Sequence, residues 1–358
     1  MKELHTLAVL AAAAAITLSA CEQLAGDGTQ EGPAEYGTLT VKVDGIEADI
    51  STRAADTAAN GADKTVSNIQ ILIFDASGTL LDYKNNGTSG SYSRALRAGE
   101  DYTVAALVNG PDVSSKPTLQ ELNETVLELG AGGLGGGNET YAMYGFRSLE
   151  NLSTGQSDAT VTVANLAARI RIKSVTNELP PSLGAIKLES VFLCNAKGKV
   201  CVNGDNVSSS WCNAYGQGSD APAYTAYSTT VSVANGDATD NASFPHYFYT
   251  YPNLCVKEFT SAVSPTGLDS NPQAVWLCVK GSVVIGGSSK DYYWTLNLGG
   301  NAALGSEKGI RANYTYDVAV TIKALGSDNP YTPTVSGTAD ITVETSDWVA
   351  GGDVSEEF

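Results

Sequence analysis

Apolar and polar residues alternate in short runs along most of this chain, and that alternation predicts strands. Thr38-Leu39-Thr40-Val41-Lys42-Val43 places Leu39, Val41 and Val43 on one face and predicts a first strand. Val66–Phe74 is a denser apolar run. Asp75-Ala76-Ser77-Gly78 then turns the chain, and Thr79–Tyr83 returns as a hairpin. Asp101–Val108 predicts another strand. Pro117–Leu129 carries helical spacing instead: Pro117 suits a first helical position, and Leu119, Leu122, Val126 and Leu129 share one face. Gly130–Gly137 reads as a glycine-rich connector.

The second half repeats the plan. Ala159–Val175 holds alternating stretches, among them Ala168-Arg169-Ile170-Arg171-Ile172. Ile186–Leu193, the turn Asn195-Ala196-Lys197-Gly198 and Lys199–Val202 echo the earlier strand–turn–strand unit ending at Gly78. Further strands are expected over Thr225–Val233, Ala274–Ile285, Asp291–Leu298, Asn313–Lys323 and Thr338–Glu344. Many strands separated by turn signals predict an all-β fold built from sandwiches. The apolar share of 42% is enough for a real core, and 358 residues are enough for two domains.

The amino terminus follows different rules. Lys2 precedes an apolar run from Leu7 to Leu18, and Leu18-Ser19-Ala20-Cys21 closes it. A basic start, a short apolar core and small residues before the cut are the parts of an export signal. A cysteine directly after Leu-Ser-Ala makes the motif look like a lipobox; in proteins with that motif the Cys thiol takes a lipid and its amine becomes the new terminus. Residues 1–20 are thus expected to be a lipoprotein signal peptide; the alternative is an ordinary secretory signal with a chance cysteine at Cys21. Glu22–Tyr36 reads as a polar tether, and Ser51–Lys64 as an exposed loop.

Composition removes several function classes. The net charge of -18 repels phosphate backbones, so no nucleic-acid partner is expected. Beyond Cys21 there are five cysteines: Cys194, Cys201, Cys212, Cys255 and Cys278. An odd number leaves one unpaired within the chain, and the pairing of the rest stays open. Two histidines and no Cys-x-x-Cys pair make a zinc site a poor expectation. Gly130–Gly137 lacks the Gly-Lys-Ser/Thr ending of a phosphate loop, and no Gly-x-Ser-x-Gly elbow occurs. His246 sits among aromatics and reads as packed. Asp237, Asp240 and Asn241 read as turn residues rather than a calcium site, and Tyr292-Tyr293-Trp294 as core rather than a sugar platform. No catalytic residue, metal or cofactor is expected.

The two ends of the fold hold the remaining signal. Ala339, Ile341 and Val343 repeat on the last strand the stripe that Leu39, Val41 and Val43 make on the first. Cleavage after Arg53 would remove Cys21 and the first strand together. The loss would bare unpaired backbone above an apolar floor, which a neighbour's last strand can fill. Each aliphatic buried in the exchange contributes about 1.5–3 kcal/mol. The same pattern describes two strands that simply stay in their own sheets, and the residues alone leave both readings open.

Read together, these segments resemble the Bacteroidales fimbrillins, the major subunits of type V pili. The carriers are the lipobox at Cys21, Gly37–Val43, Thr52-Arg53-Ala54, Val66–Asp75 with Gly78, and Asn165–Val175. Arg311-Ala312-Asn313-Tyr314-Thr315-Tyr316-Asp317-Val318 and Ile341-Thr342-Val343-Glu344 with Asp347-Trp348 complete them. The resemblance implies two tandem transthyretin-like β-sandwich domains, with a short helix in the first. It divides the chain into a propeptide over 21–53, a first domain over 54–157 (to which strand 37–43 belongs before cleavage) and a second over 158–358. It implies an outer-membrane lipoprotein precursor, cut between Arg53 and Ala54 by an Arg-specific protease. The donor tail would span about 335–358, with Ala339, Ile341 and Val343 inward. The expected partners are other copies of the chain and related fimbrial subunits, in a cell-surface fimbrium supporting adhesion. Alternatives are a lipid-anchored glycan-binding lipoprotein or a minor or tip adhesin; a secreted hydrolase is a weaker rival.

Overall fold

The computed structural model describes residues 34–45, 65–129, 141–208, 210–213, 226–240, 243–244, 247–258 and 267–348. In chain order the first half contains β1 (Tyr36–Asp44), β2 (Ile69–Asp75), β3 (Leu80–Asn85), β4 (Ser91–Arg97) and β5 (Tyr102–Val108). It continues with a short helix α1 (Leu119–Asn123), β6 (Val126–Glu128), β7 (Met143–Leu149), β8 (Gln156–Thr162) and β9 (Ala164–Asn165). The second half opens with β10 (Ala168–Asn177), β11 (Ile186–Cys194), β12 (Ala196–Lys197), β13 (Lys199–Cys201), β14 (Trp211–Cys212), β15 (Tyr227–Ser228), β16 (Ser232–Val233) and β17 (Tyr247–Thr250). It closes with β18 (Trp276–Ile285), β19 (Ser288–Asn297), β20 (Ala303–Leu304), β21 (Glu307–Lys308), β22 (Tyr314–Ile322) and β23 (Ala339–Asp347). Among the described residues no helix is long and apolar enough to cross a membrane.

The strands pair into an all-β sandwich architecture. Sheet β4-β1-β8 faces sheet β3-β2-β5-β7-β9 across a core of Leu39, Val41, Ile69, Ile71, Ile73, Val104, Ala106, Ala159 and Val161. Sheets β17-β10-β22-β23 and β15-β11-β18-β19 contribute to a second core that includes Ile170, Ile172, Val191, Leu193, Val279, Trp294, Val318 and Val320. The two halves share a pairing rule. β1 runs antiparallel to β4 and parallel to β8, as β10 runs antiparallel to β17 and parallel to β22.

The dense run Ile69–Phe74 is explained by burial on both faces. Ile69, Ile71 and Ile73 enter the first core, while Leu72 and Phe74 join the other. Gln70, buried on the same strand, donates to the Pro111 carbonyl at 2.7 Å and accepts from Tyr83 and Val113 at 3.0 Å. Its polar atoms are therefore satisfied.

Two expectations are corrected by the pairing. The helix expected over Pro117–Leu129 is capped by Thr118 and ends at Asn123, with Glu124 as its C-cap. Beyond it Leu127 and Leu129 are buried with Glu128 exposed between them, so a period of two replaces the helical one, and β6 pairs with β13. The echo unit differs too: β13 crosses to β6 instead of returning along β11. Residues 158–165 pair with strands of the first half: β8 is hydrogen-bonded along β1 and β9 along β7, and sheet membership changes between Asn165 and Ala168.

Candidate functional site

The site is the place occupied by β1. Its alternation of Thr and Val makes one face apolar and one polar, which suits a strand covering a core. β1 is the middle strand of its sheet. Thr40 stands opposite Ser93 of β4 and Asp158 of β8, and Val41 opposite Tyr92 and Ala159. Leu39 and Val41 are fully buried and Val43 nearly so. On the outer face Thr40 and Ser93 hydroxyls meet at 3.0 Å, and Lys42 Nζ reaches Asp158 Oδ2 at 2.9 Å. The entry end is tight. The Thr38 amide donates to the Gly155 carbonyl at 2.9 Å, and a β-carbon added to Gly37 would lie 1.9 Å from the Ser153 carbonyl oxygen. Removing β1 would therefore separate β4 from β8 and expose a slot with an apolar floor and unpaired backbone on both walls.

The last strand is held quite differently. Among the described residues β23 is bonded along one side only, to β22, and forms the sheet edge. Ala339 is buried, whereas Ile341 and Val343 are only half-buried. Its outer face is tied down by charge: Lys323 pairs with Asp340, and Lys173 Nζ meets Glu344 Oε2 at 2.6 Å. The Lys173 hydrogen bond holds the Glu344 carboxyl below its usual range. Glu344 in turn raises Lys173, and Asp340 raises Lys323. At the strand's end Trp348 is buried against the stacked rings of Tyr141 and Tyr249, at 5.7 and 5.6 Å between ring centres. Arg169 lies over its ring at 5.3 Å.

The segment joining β22 to β23 covers the edge of β19. Tyr293 exchanges two backbone hydrogen bonds with Ser327, and the Thr334 amide donates to the Thr295 carbonyl at 2.8 Å. The Trp294 indole donates to the Ala324 carbonyl at 2.9 Å. Between this anchored segment and β23 lies a turn in which Gly337 has φ of 87° and Val335 is exposed.

Other candidates fare as follows. Cys21, Arg53, Ala54, Asn241 and His246 lie outside the described residues. Asp240 receives hydrogen bonds from the Ser243 amide and hydroxyl, as a turn residue does. Tyr292 and Trp294 are buried and unavailable to a sugar face, with Tyr293 half-buried between them. Cys194, Cys201, Cys212, Cys255 and Cys278 are free thiols. Among the described residues no group of three or more His, Cys, Asp or Glu side chains could hold a metal ion. A cleft of about 440 Å³ is lined by Lys197, Trp211 and Asp269. Lys197 Nζ rests 4.0 Å from the centre of the Trp211 ring, and burial lowers its pKa.

The sequence reading did not find Gly37 as a steric requirement, nor Ser93, Asp158, Lys173 and Lys323 as partners of the two strands. These are long-range pairings, and a sequence prints no signal for them.

No family model matches the sequence, and no curated protein matches it. Solved structures do. A Bacteroides eggerthii protein described as a cell adhesion protein matches with a TM-score of 0.60 at 17% identity, covering 88% of this chain and 97% of that one. A Parabacteroides distasonis protein of the same description matches at 0.61 and 17%, covering 88% and 100%. A fimbrilin from Porphyromonas gingivalis matches at 0.60 and 13%, covering 88% and 98%. The chain has the all-β fold of these proteins, and its resemblance to the Bacteroidales fimbrillins holds at the level of fold.

Proposed function

We propose that this chain is a structural, non-catalytic subunit of a cell-surface fimbrium that supports adhesion. It is exported as a lipoprotein through Cys21, cut between Arg53 and Ala54 by an Arg-specific protease, and polymerised by donation of its carboxy-terminal strand to the next copy. The observation that carries this reading is the asymmetry of the two terminal strands. β1 is a central strand whose side chains fill the first core, yet it precedes Arg53 and on this reading would leave with the propeptide. β23 is an edge strand with the same apolar spacing and half-buried side chains. A core missing its central strand is completed by pairing with such an edge segment. Repeated head to tail, the contact is heterologous and gives an open polymer. The shared fold with a fimbrilin and with proteins described as cell adhesion proteins supports the same reading.

The test is the amino terminus of the protein taken from native cells. A start at Ala54 agrees with maturation by an Arg-specific protease, and Arg53→Ala then yields monomers that never enter SDS-resistant ladders. A lipidated Cys21 on the assembled protein contradicts it.

A further inference from the structure

Strand exchange leaves one question open: which residues of β23 would take which places in the slot. We propose that a second copy of this chain enters in a single register, with Gly337 in the place of Gly37 and Ala339, Ile341 and Val343 in the places of Leu39, Val41 and Val43. The proposal rests on the strand-exchange reading above and goes on to fix its geometry.

The argument starts from a steric filter. Gly37 is an extended strand residue, and a β-carbon there would lie 1.9 Å from the Ser153 carbonyl oxygen and 3.2 Å from that of Gly155. Both obstacles are backbone, so no side-chain rotation relieves them. Any strand that fills the slot needs glycine two residues before its first core position. A shift by one residue turns Asp340, Thr342 and Glu344 into the core and is excluded by their charge and polarity. A shift by two in either direction keeps the apolar face inward but brings Ala339 or Val335 to the glycine position. Only the unshifted register places a glycine there. Running the strand in the opposite direction brings Thr345, Val343 or Ile341 to that position.

The matched segments agree beyond the glycine. Gly37-Thr38 corresponds to Gly337-Thr338, and Asp44 to Glu344. Asp340 falls where Thr40 meets the Ser93 hydroxyl at 3.0 Å, and its carboxylate accepts the hydrogen bond that Ser93 can donate there. Two differences mark the exchange as distinct from the original. Thr342 replaces Lys42 and Asp340 replaces Thr40 opposite Asp158, so Asp158 loses its ion pair at 2.9 Å and faces a second carboxylate. At the exit Gly45 turns the chain out with φ of 84°, and a β-carbon on that path would lie 2.4 Å from the Val163 carbonyl oxygen, so Thr345 has to leave the path of β1 there, running on extended as it does in β23.

Gly337 has a separate role before exchange. Its φ is 87° in the turn that precedes β23, and a β-carbon there would meet nothing within 4 Å. Gly337→Ala therefore fits sterically in the free subunit but strains the turn, which favours release of β23. In the slot the same methyl strikes the Ser153 carbonyl. A loss of polymer in this variant has the opposite sign to the effect expected from the turn alone.

The experiment uses the full-length chain, cleaved at Arg53 and read as SDS-resistant ladders. Cleaved wild type is expected to ladder and Gly337→Ala to lose the ladder while keeping the wild-type circular dichroism spectrum of a monomer. In parallel, Ser93→Cys with Asp340→Cys is expected to form an intermolecular disulfide on mild oxidation of the polymer, and Ser93→Cys with Thr342→Cys is not. Wild-type laddering by Gly337→Ala, or cross-linking of the Thr342 pair in place of the Asp340 pair, overturns the register and leaves strand exchange standing. Absence of any ladder from cleaved wild type overturns strand exchange itself, and the register with it.

Discussion

Lys173 on β10 reaches across the intervening strand β22 to Glu344 on β23, closing an Nζ to Oε2 contact of 2.6 Å. The pair is exposed and ties the edge strand to a strand it does not touch by backbone. Other charges around Lys173 are Asp317, which favours its charged form, and Arg171, which opposes it. Glu344 has its carboxyl lowered by Lys173, so its contribution is present above the ordinary carboxylate range and is lost as pH falls through the lowered value. Lys173 is raised, so its contribution is complete below the ordinary lysine value and is lost as pH rises through the raised one. Protection of the β22 and β23 amides, with the intrinsic pH dependence of exchange divided out, is expected to fall as pH drops below the ordinary carboxylate range and to fall with salt at neutral pH. Lys173→Gln should remove both dependences. Unchanged pH and salt responses in that variant would refute this role for the pair.

The slot predicts a stability effect confined to one stage of the molecule's life. Leu39→Ala empties a fully buried position and is expected to cost the uncleaved chain about 2–5 kcal/mol. Gly37→Ala overpacks the slot entry and is expected to cost about 1–3 kcal/mol. On the proposed cleavage after Arg53 both residues would leave with the propeptide, so polymers that form from either variant should melt as wild type. Denaturant titration of the precursor and heating of the polymer check the two halves of the prediction.

Among the described residues Arg171 and Asp317 form a well-shielded ion pair between strands. Arg171 Nε donates to Asp317 Oδ1 at 2.7 Å and Nη2 to Oδ2 at 2.6 Å, with both side chains largely covered. The bidentate geometry joins β10 to β22 in the sheet that carries β23. Asp317→Ala leaves a covered guanidinium without its carboxylate and is expected to destabilise the chain by about 3 kcal/mol. The midpoint of urea unfolding reads this directly.

The thiols give a chemical check on burial in the second half, Cys212 in the second core and Cys194 and Cys278 in a cluster with Trp276. Burial pushes Cys212 up to about 11 and Cys278 up to about 12, and raises Cys194 well above the usual thiol range. Thiolate is the reactive form, so these three are expected to resist alkylation in the native protein at pH 8. All five should react in denaturant without prior reduction, and a reducing agent should leave the melting temperature unchanged. Mass spectrometry after native and denatured labelling counts them.

The sequence was legible where a strand has one wet face and one dry face. β1 and β22 alternate in this way, and their bounds fall close to the expected ones. β4 was not legible: in Ser91–Arg97 only Leu96 is buried, so the strand prints no stripe. β17 was missed for the opposite reason, because Tyr247–Thr250 is buried on both faces. The helix was overextended because Val126 and Leu129 fall at helical spacing, while Leu127 and Leu129 are the buried pair. For the site, the stripes on β1 and β23 could be read directly. The insertion of β1 between β4 and β8, and the need for glycine at position 37, could not. Both depend on Ser91–Arg97 and Ser153–Thr162, which meet β1 only in three dimensions.

The most direct test is a side-chain-resolved helical reconstruction of fibres taken from native cells. The density between β4 and β8 of each subunit should belong to a neighbour, with Gly337 against the Ser153 carbonyl and Ala339, Ile341 and Val343 over the core. Finding each subunit's own Tyr36–Asp44 still seated there would contradict the account.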